Sequence, residues 1–376
     1  MKLKKFLLIN FLLASLFAFK SFGQDQYISP VAIRINPIAP VFSHSIYIDS
    51  YYAFYTDSVG VGNFQKFPSV SPRSNSFGLN TAMINFKVED AKFRAEVSLH
   101  FGDIAKSAWS PSYQNIMEAH AGVRLCNNNK LWADVGIFRT HFGTEGLLPK
   151  ENFTSSVSVC TYYEPYYESG LRLKYSPNDK WAINLFALNG YNMIEDNNNK
   201  KSLGTLIIYS PNEMGNIGYS NYIGDDSPVG DSISHLLVHQ NLFWNYRYKK
   251  FFWQIGGDYC MKENSDITVP DIWASMFAGV ASLKFQCCTN DAIYARYEIF
   301  QDGQGIMSGV IVDKDGLNTG LRLWGATLGF EYKPTGNSYI RLEARQLEMD
   351  PAQEIFHWKD NEDSRLEVML NLGITF

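Results

Sequence analysis

The sequence predicts an all-β fold, a transmembrane antiparallel barrel of about sixteen strands. Three observations support this prediction. Residues 366–376 alternate apolar and mostly polar side chains and end on an aromatic residue, Phe376. Many other segments show the same period of two, which is the period of a β-strand. Short turns and long polar loops also alternate along the chain, as they do in bacterial outer-membrane barrels.

The N-terminus has the features of a secretory signal. Lys2, Lys4 and Lys5 precede an apolar run at residues 6–19, and Gly23 supplies a small residue at the expected cleavage site. We therefore predict a signal peptide at residues 1–23. The absence of a cysteine at this junction argues against a lipoprotein anchor. The run is too short to cross a bilayer as a helix, and no later segment reaches eighteen consecutive apolar residues.

Residues 24–44 contain three prolines and no clean alternation. We predict an N-terminal extension here, lying at the mouth of the pore or inside it, and assign residues 45–376 to the barrel. The net charge of the chain is −5, and removal of the four lysines of the signal would make it −9. This charge argues against nucleic acid as a partner and weakly favours cations in any pore.

The connections between strands fall into two classes. Seven are short, and Pro, Asn, Asp and Gly, which suit tight turns, recur in them. They lie at 88–91, 126–130, 176–179, 210–213, 249–250, 287–291 and 333–337. Eight are longer and polar; they lie near 58–75, 102–112, 140–165, 189–201, 225–234, 261–271, 301–318 and 347–362. Fifteen connections join sixteen strands, and we expect the short turns on the periplasmic side and the long loops outside.

Charged side chains alternate with apolar ones in several strands. An Arg or Lys facing lipid at mid-depth costs about 2–4 kcal/mol, so the charged rows must face the interior of the barrel. A dry protein core would not accept them either, which argues against the alternative of a large soluble sandwich. The predicted pore-lining residues are Arg94, Glu96, Arg172, Lys174, Arg296, Glu298, Arg341, Glu343 and Arg345.

The longest connection, residues 140–165, is the third external loop. A barrel of sixteen strands is wide enough for an aqueous channel, so selectivity requires a narrow point lined by charges. A long loop that folds inward would provide one. Our candidates for this constriction are Arg139, His141, Glu145, Lys150 and Glu151. The alternative is an ordinary surface loop.

The run at residues 133–145 and the strand–turn–strand segment at 170–181, with its Ser-Pro-Asn-Asp turn, resemble a family of β-barrel porins described as OmpL-like. Residues 187–191, 196–204 and 209–212 are also similar to this family. The resemblance extends over about residues 45–376. It implies an outer-membrane porin whose substrate range is largely uncharacterised, and it supplies no catalytic residues.

These observations predict a passive diffusion channel for small hydrophilic solutes in the bacterial outer membrane. Nucleophile-elbow, zinc-protease and phosphate-loop motifs are absent, and the five cysteines lack metal-ligand spacing, so we expect neither enzyme activity nor a cofactor. Expected partners are outer-membrane lipid, the barrel-assembly machinery acting on Phe376, and a homotrimer of the kind common among wide porins. The alternatives are a closed barrel with a structural or adhesive role, and a channel specific for sugars or an anion.

Overall fold

The computed structural model describes residues 40–60, 62–126, 128 and 130–376. The predicted signal peptide and residues 24–39 of the predicted extension lie outside the described residues. Sixteen strands form one closed antiparallel barrel in which each strand pairs with its neighbours along the chain. Two small hairpins and two short helices lie in the long connections. Within the described part, no helix is long and apolar enough to cross a membrane.

The barrel strands are β1 (Val41–Tyr55), β2 (Ser76–Glu89), β3 (Phe93–Phe101), β4 (Ile116–Arg124), β5 (Leu131–Arg139), β6 (Tyr167–Asn178), β7 (Trp181–Leu188), β8 (Ser202–Asn212), β9 (Gly215–Gly224), β10 (Leu237–Tyr248), β11 (Phe251–Lys262), β12 (Ala274–Gln286), β13 (Asp291–Gln301), β16 (Arg322–Tyr332), β17 (Ser338–Met349) and β20 (Ser364–Thr375). The hairpin strands are β14 (Ile311–Val312), β15 (Asn318–Thr319), β18 (Phe356–His357) and β19 (Asn361–Glu362), and the helices are α1 (Asp103–Ala108) and α2 (Val159–Tyr163).

The last strand closes the barrel against the first. The β1–β20 ladder runs from the pair Tyr47 and Thr375 to the pair Tyr55 and Glu367. Phe376 N also donates to Ile46 O at 2.9 Å. Every barrel strand therefore has two neighbours, which leaves no sheet edge to pair with another chain. The prediction that the C-terminal segment is a closing strand is confirmed.

Seven short turns and eight long loops join the barrel strands, each within a few residues of its predicted place. The predicted start of the barrel was wrong: β1 begins at Val41, so residues 41–44 belong to the barrel and not to the extension. They pair with residues 86–89 of β2. Residues 41–44, Val-Phe-Ser-His, do not alternate apolar and polar side chains, so the sequence does not mark them as a strand. In the structure all four are exposed, and buried and exposed positions alternate only further along β1.

Burial alternates along the strands as the charged and apolar rows predict. On β17, Ile340 and Leu342 are exposed on the outer surface, whereas Arg341 and Glu343 point inward and are buried. Leu342 pairs with Leu370 of β20, which is also exposed. Such rows form the apolar outer surface that a bilayer requires.

We predict that Leu342→Arg destabilises the barrel in lipid by about 2–4 kcal/mol, because the new charge would face hydrocarbon. The measurement is equilibrium unfolding of protein refolded into vesicles. Leu317→Arg is the matched control, since Leu317 is exposed on an external loop. Equal stabilities of the two variants would contradict the assignment of Leu342 to the lipid-facing surface.

Candidate functional site

The third loop, residues 140–166, crosses the lumen. It leaves the end of β5 and returns to the start of β6, yet its contacts reach strands on the far side of the barrel. Gln254 of β11 donates to Thr144 O at 2.6 Å, and Asn241 of β10 donates to Thr144 Oγ1 at 3.2 Å. Ser155 N donates to Glu343 of β17 at 2.6 Å. The loop therefore lies inside the barrel.

Arg341 holds the carbonyl side of this loop. Its guanidinium donates to Pro149 O at 2.7 Å, to Thr154 O at 2.8 Å and to Asn152 O at 2.9 Å. Its Nε donates to Glu331 at 2.8 Å, so the charge is also paired. The guanidinium presents several donors in a fixed plane, which suits contact with several carbonyls at once.

Two carboxylates hold the amide side of the loop. Glu343 accepts from Ser155 N at 2.6 Å and from Ser156 N at 3.0 Å. Glu298 of β13 accepts from Val159 N, at the start of α2, at 2.7 Å. These are hydrogen bonds to charged groups, each of which contributes about 1.5–3 kcal/mol.

Arg296 of β13 joins both sets of contacts. It donates to Glu145 at 2.9 Å and to Ser156 O at 2.6 Å, while Glu145 accepts from Ser158 N at 2.6 Å. Arg345 in turn forms two hydrogen bonds of 2.9 Å with Glu298. Removing one member of a buried ion pair typically costs about 3–5 kcal/mol, because the other charge is left unpaired.

This arrangement corrects part of the predicted pore lining. Arg296, Glu298, Glu343 and Arg345 point inward, but the first three bond to the third loop, Arg345 bonds to Glu298, and each is at most 2% exposed. They hold the loop and do not line open space. Periodicity indicates which way a side chain points, whereas the segment that covers it depends on the tertiary structure.

A cavity of about 530 Å³ lies in the lumen between the third loop, strands β1–β6 and the region around β17, and it extends to the end of the barrel that carries the short turns. The remaining predicted wall residues, Arg94, Glu96, Arg172 and Lys174, line it, and Arg341 reaches its edge. Eight basic residues contribute to the lining, namely Lys87, Arg94, Arg139, Lys150, Arg172, Lys174, Lys333 and Arg341. Four acidic residues do so, namely Glu89, Glu96, Glu118 and Glu151.

The predicted constriction residues divide into two groups. Arg139, Lys150 and Glu151 line the cavity, and Arg139 forms two hydrogen bonds of 2.6 Å with Glu151. His141 and Glu145 are buried away from it. His141 Nδ1 lies 2.7 Å from Glu168, and its Nε2 lies 2.8 Å from Asn221 O. These two residues therefore fix the start of the loop.

Two arginines of the cavity wall share one carboxylate. Arg94 donates to both oxygens of Asp134 at 2.7 and 2.6 Å, and Arg172 donates to Asp134 at 2.9 Å. Arg94 also lies over the ring of Trp132, at 4.6 Å from its centroid. The shared carboxylate and the aromatic contact hold both guanidinium groups in place and leave one surplus positive charge at the wall.

The prediction missed several cavity residues, among them Lys87, Glu118, His120 and Lys333, and also Asp134 behind them. Period-two facing could have identified Glu118 and His120, which are two residues apart on β4. Lys333 could not be found this way because it lies in a turn, where side chains do not alternate.

The end of the lumen that carries the long loops contains an apolar cluster. Phe67 of the first loop and Phe142 and Val159 of the third loop pack with Ile306 and Phe356 from two later loops. The rings of Phe67 and Phe356 meet edge to face at 6.0 Å. Four loops thus contribute to one buried cluster, for which no local sequence pattern exists.

A closed sixteen-strand barrel with a lipid-facing exterior, a charged interior and a loop across the lumen defines an outer-membrane channel. The family described as "Putative beta-barrel porin-2, OmpL-like" matches residues 42–376, and the chain belongs to this family. It is an outer-membrane porin, and its family and fold are those of a diffusion channel and not of an enzyme. No curated protein matches the chain in sequence.

Solved structures share the fold at low sequence identity. An anion-selective porin from Comamonas acidovorans matches with a TM-score of 0.61 and 8% identity over 90% of this chain and 100% of that chain. The outer-membrane channel DcaP of Acinetobacter baumannii matches with a TM-score of 0.60 and 10% identity over 91% and 99%. Salmonella typhi OmpF, solved with daunomycin, matches with a TM-score of 0.56 and 10% identity over 89% and 97%.

We predict that Glu343→Gln loosens the third loop, because a neutral amide replaces the carboxylate that accepts from Ser155 and Ser156. Loss of hydrogen-bond energy of about 1.5–3 kcal/mol corresponds to amide exchange about ten- to hundredfold faster in this segment. Hydrogen exchange read by mass spectrometry measures it. Glu362→Gln, on an exposed external hairpin, is the control. Unchanged exchange in the Glu343 variant would contradict the anchoring role.

Proposed function

We propose that small hydrophilic solutes pass through the lumen beside the third loop, and that the loop and the facing wall form the narrow point. Lys150 and Glu151 of the loop and Arg139 at the end of β5 form one side, and Arg94 and Arg172 lie on the wall of the same cavity. The observation that carries the proposal is the cavity itself, which borders the loop and is lined by twelve charged side chains. The passage requires no chemistry and no cofactor.

We infer a preference for anions. Basic side chains outnumber acidic ones by eight to four around the cavity, although the whole chain is acidic. Low-dielectric walls strengthen the field of such charges on a solute. This inference reverses the preference suggested by net charge. Among the described residues that line the cavity, Tyr339 is the only Tyr, Phe or Trp. This scarcity of aromatic rings favours anions over sugars as solutes.

The decisive experiment is single-channel conductance of the refolded protein in planar bilayers, with the reversal potential measured under a salt gradient. Stepwise openings and a reversal potential set by anions are expected. A reversal potential set by cations would refute the inferred selectivity. Protein that is folded by circular dichroism but never conducts would refute passage beside the loop. The apolar cluster of the loops would then favour the alternative of a closed structural barrel.

We predict that Lys150→Glu lowers the ratio of anion to cation permeability about two- to fivefold. Two unit charges about 8 Å apart interact by about 2 kcal/mol at an effective dielectric of 20, and screening by salt reduces this value. Lys359→Glu, on an exposed external loop, should leave the ratio unchanged. Equal ratios for both variants and the unmodified protein would place the narrow point elsewhere.

We further propose that the chain is secreted by cleavage near Gly23 and assembles as a homotrimer. Residues 1–23 have the pattern of a bacterial signal. OmpT of Vibrio cholerae, which shares the fold at 10% identity, has been solved in a trimer form. N-terminal sequencing of the membrane protein and light scattering of the detergent-solubilised protein test the two proposals separately. A monomer mass would refute the trimer.

A further inference from the structure

A cluster of three side chains on the cavity wall has the composition of a metal site. Glu96 lies on β3, and Glu118 and His120 lie on the neighbouring strand β4. All three line the cavity. One ligand atom from each residue lies within 4.8 Å of the others. Two carboxylates and one imidazole are ligands that zinc accepts in proteins.

The distances within the cluster are too long for hydrogen bonds. His120 Nε2 lies 3.6 Å from Glu118 Oε2 and 3.9 Å from Glu96 Oε2. A nitrogen and an oxygen that bind the same tetrahedral zinc ion at about 2.0–2.2 Å lie about 3.3–3.6 Å apart. The two distances from His120 are therefore within a few tenths of an ångström of this range, and the oxygens of Glu96 and Glu118 lie within 4.8 Å of each other.

His120 is buried but makes no hydrogen bond with the described residues. Its side chain is 5% exposed, and its Nδ1 has no partner there. Its ring packs against Phe138 at 5.2 Å. Its Nε2 is within ion-pair distance of both carboxylates, at spacings longer than direct hydrogen bonds but close to those of atoms that share one ion.

Neighbouring groups orient Glu96. Its Oε1 accepts from Asn85 at 2.8 Å and pairs with Lys87 at 2.9 Å, so its Oε2 is the oxygen directed at His120. Second-shell contacts of this kind commonly fix the ligands of metal sites. Arg139 and Lys87 are cations that act on Glu118, and Arg139 is paired with Glu151. Lys87 has a half-exposed side chain and can move away from an ion.

We propose that Glu96, Glu118 and His120 bind a divalent transition-metal cation, with Zn²⁺ as the ion that best suits the ligands. Three protein ligands leave the fourth position open to the cavity. The site itself does not depend on the proposed ion selectivity. A consequence that does rest on that selectivity is that bound metal adds positive charge to the wall and raises the preference for anions.

The test is isothermal titration calorimetry of zinc chloride into the folded, detergent-solubilised protein. One ion per chain is expected. His120→Gln and Glu118→Gln should abolish this binding, whereas Asn85→Ala should weaken it about ten- to hundredfold by releasing Glu96. His357→Gln is the matched control, because His357 is exposed on an external hairpin, and it should bind like the unmodified protein.

Two outcomes would overturn the proposal. One is the absence of zinc binding by the unmodified protein. The other is binding that survives His120→Gln but is lost in Cys160→Ser, which would assign the ion to the buried set of Cys160, Glu164 and Asp258. Circular dichroism confirms folding of each variant. Because calorimetry needs no current, a protein that binds zinc without conducting would refute only the proposed passage.

Discussion

The structure depends on the pairing of buried charges with the backbone of the third loop. A loop inside a barrel brings amides and carbonyls into a space with little water, and each unpaired group there is costly. Arg341 satisfies three carbonyls, and Glu343 satisfies two amides. The same contacts supply hydrogen-bond partners to buried charges on β17, in addition to the ion pair of Arg341 with Glu331. The loop and the charged wall therefore stabilise one another.

The barrel could be predicted from sequence because lipid imposes one simple rule on every strand. Outward positions must be apolar, so period-two patterns identify the strands and their facing. The site follows no such rule. Arg345 and Lys174 belong to similar rows, yet Arg345 is almost fully buried and lies away from the cavity, whereas Lys174 lines it. The difference arises from contacts with residues far away in the chain, which local patterns do not record.

The net charge of the whole chain and the charge of the cavity lining have opposite signs. The chain as a whole carries −5, but the described cavity is bordered by twice as many basic as acidic residues. Many of the acidic residues lie in loops, as Asp225 and Asp313 do, and others are paired with buried arginines, as Glu298 is. Net charge averages over all of these positions. A solute inside the lumen experiences mainly the side chains within a Debye length, so the local lining determines which ions it favours.

The seam between β1 and β20 also constrains the order of assembly. Ile46 and Phe376 are hydrogen-bonded neighbours in space but are separated by almost the whole chain. Contacts between such distant residues form slowly, because a long loop must close first. Until that happens, β1 and β20 each present an unpaired edge next to apolar surface. The unfinished barrel is therefore prone to aggregation throughout its passage to the membrane, and it needs protection until its two ends meet.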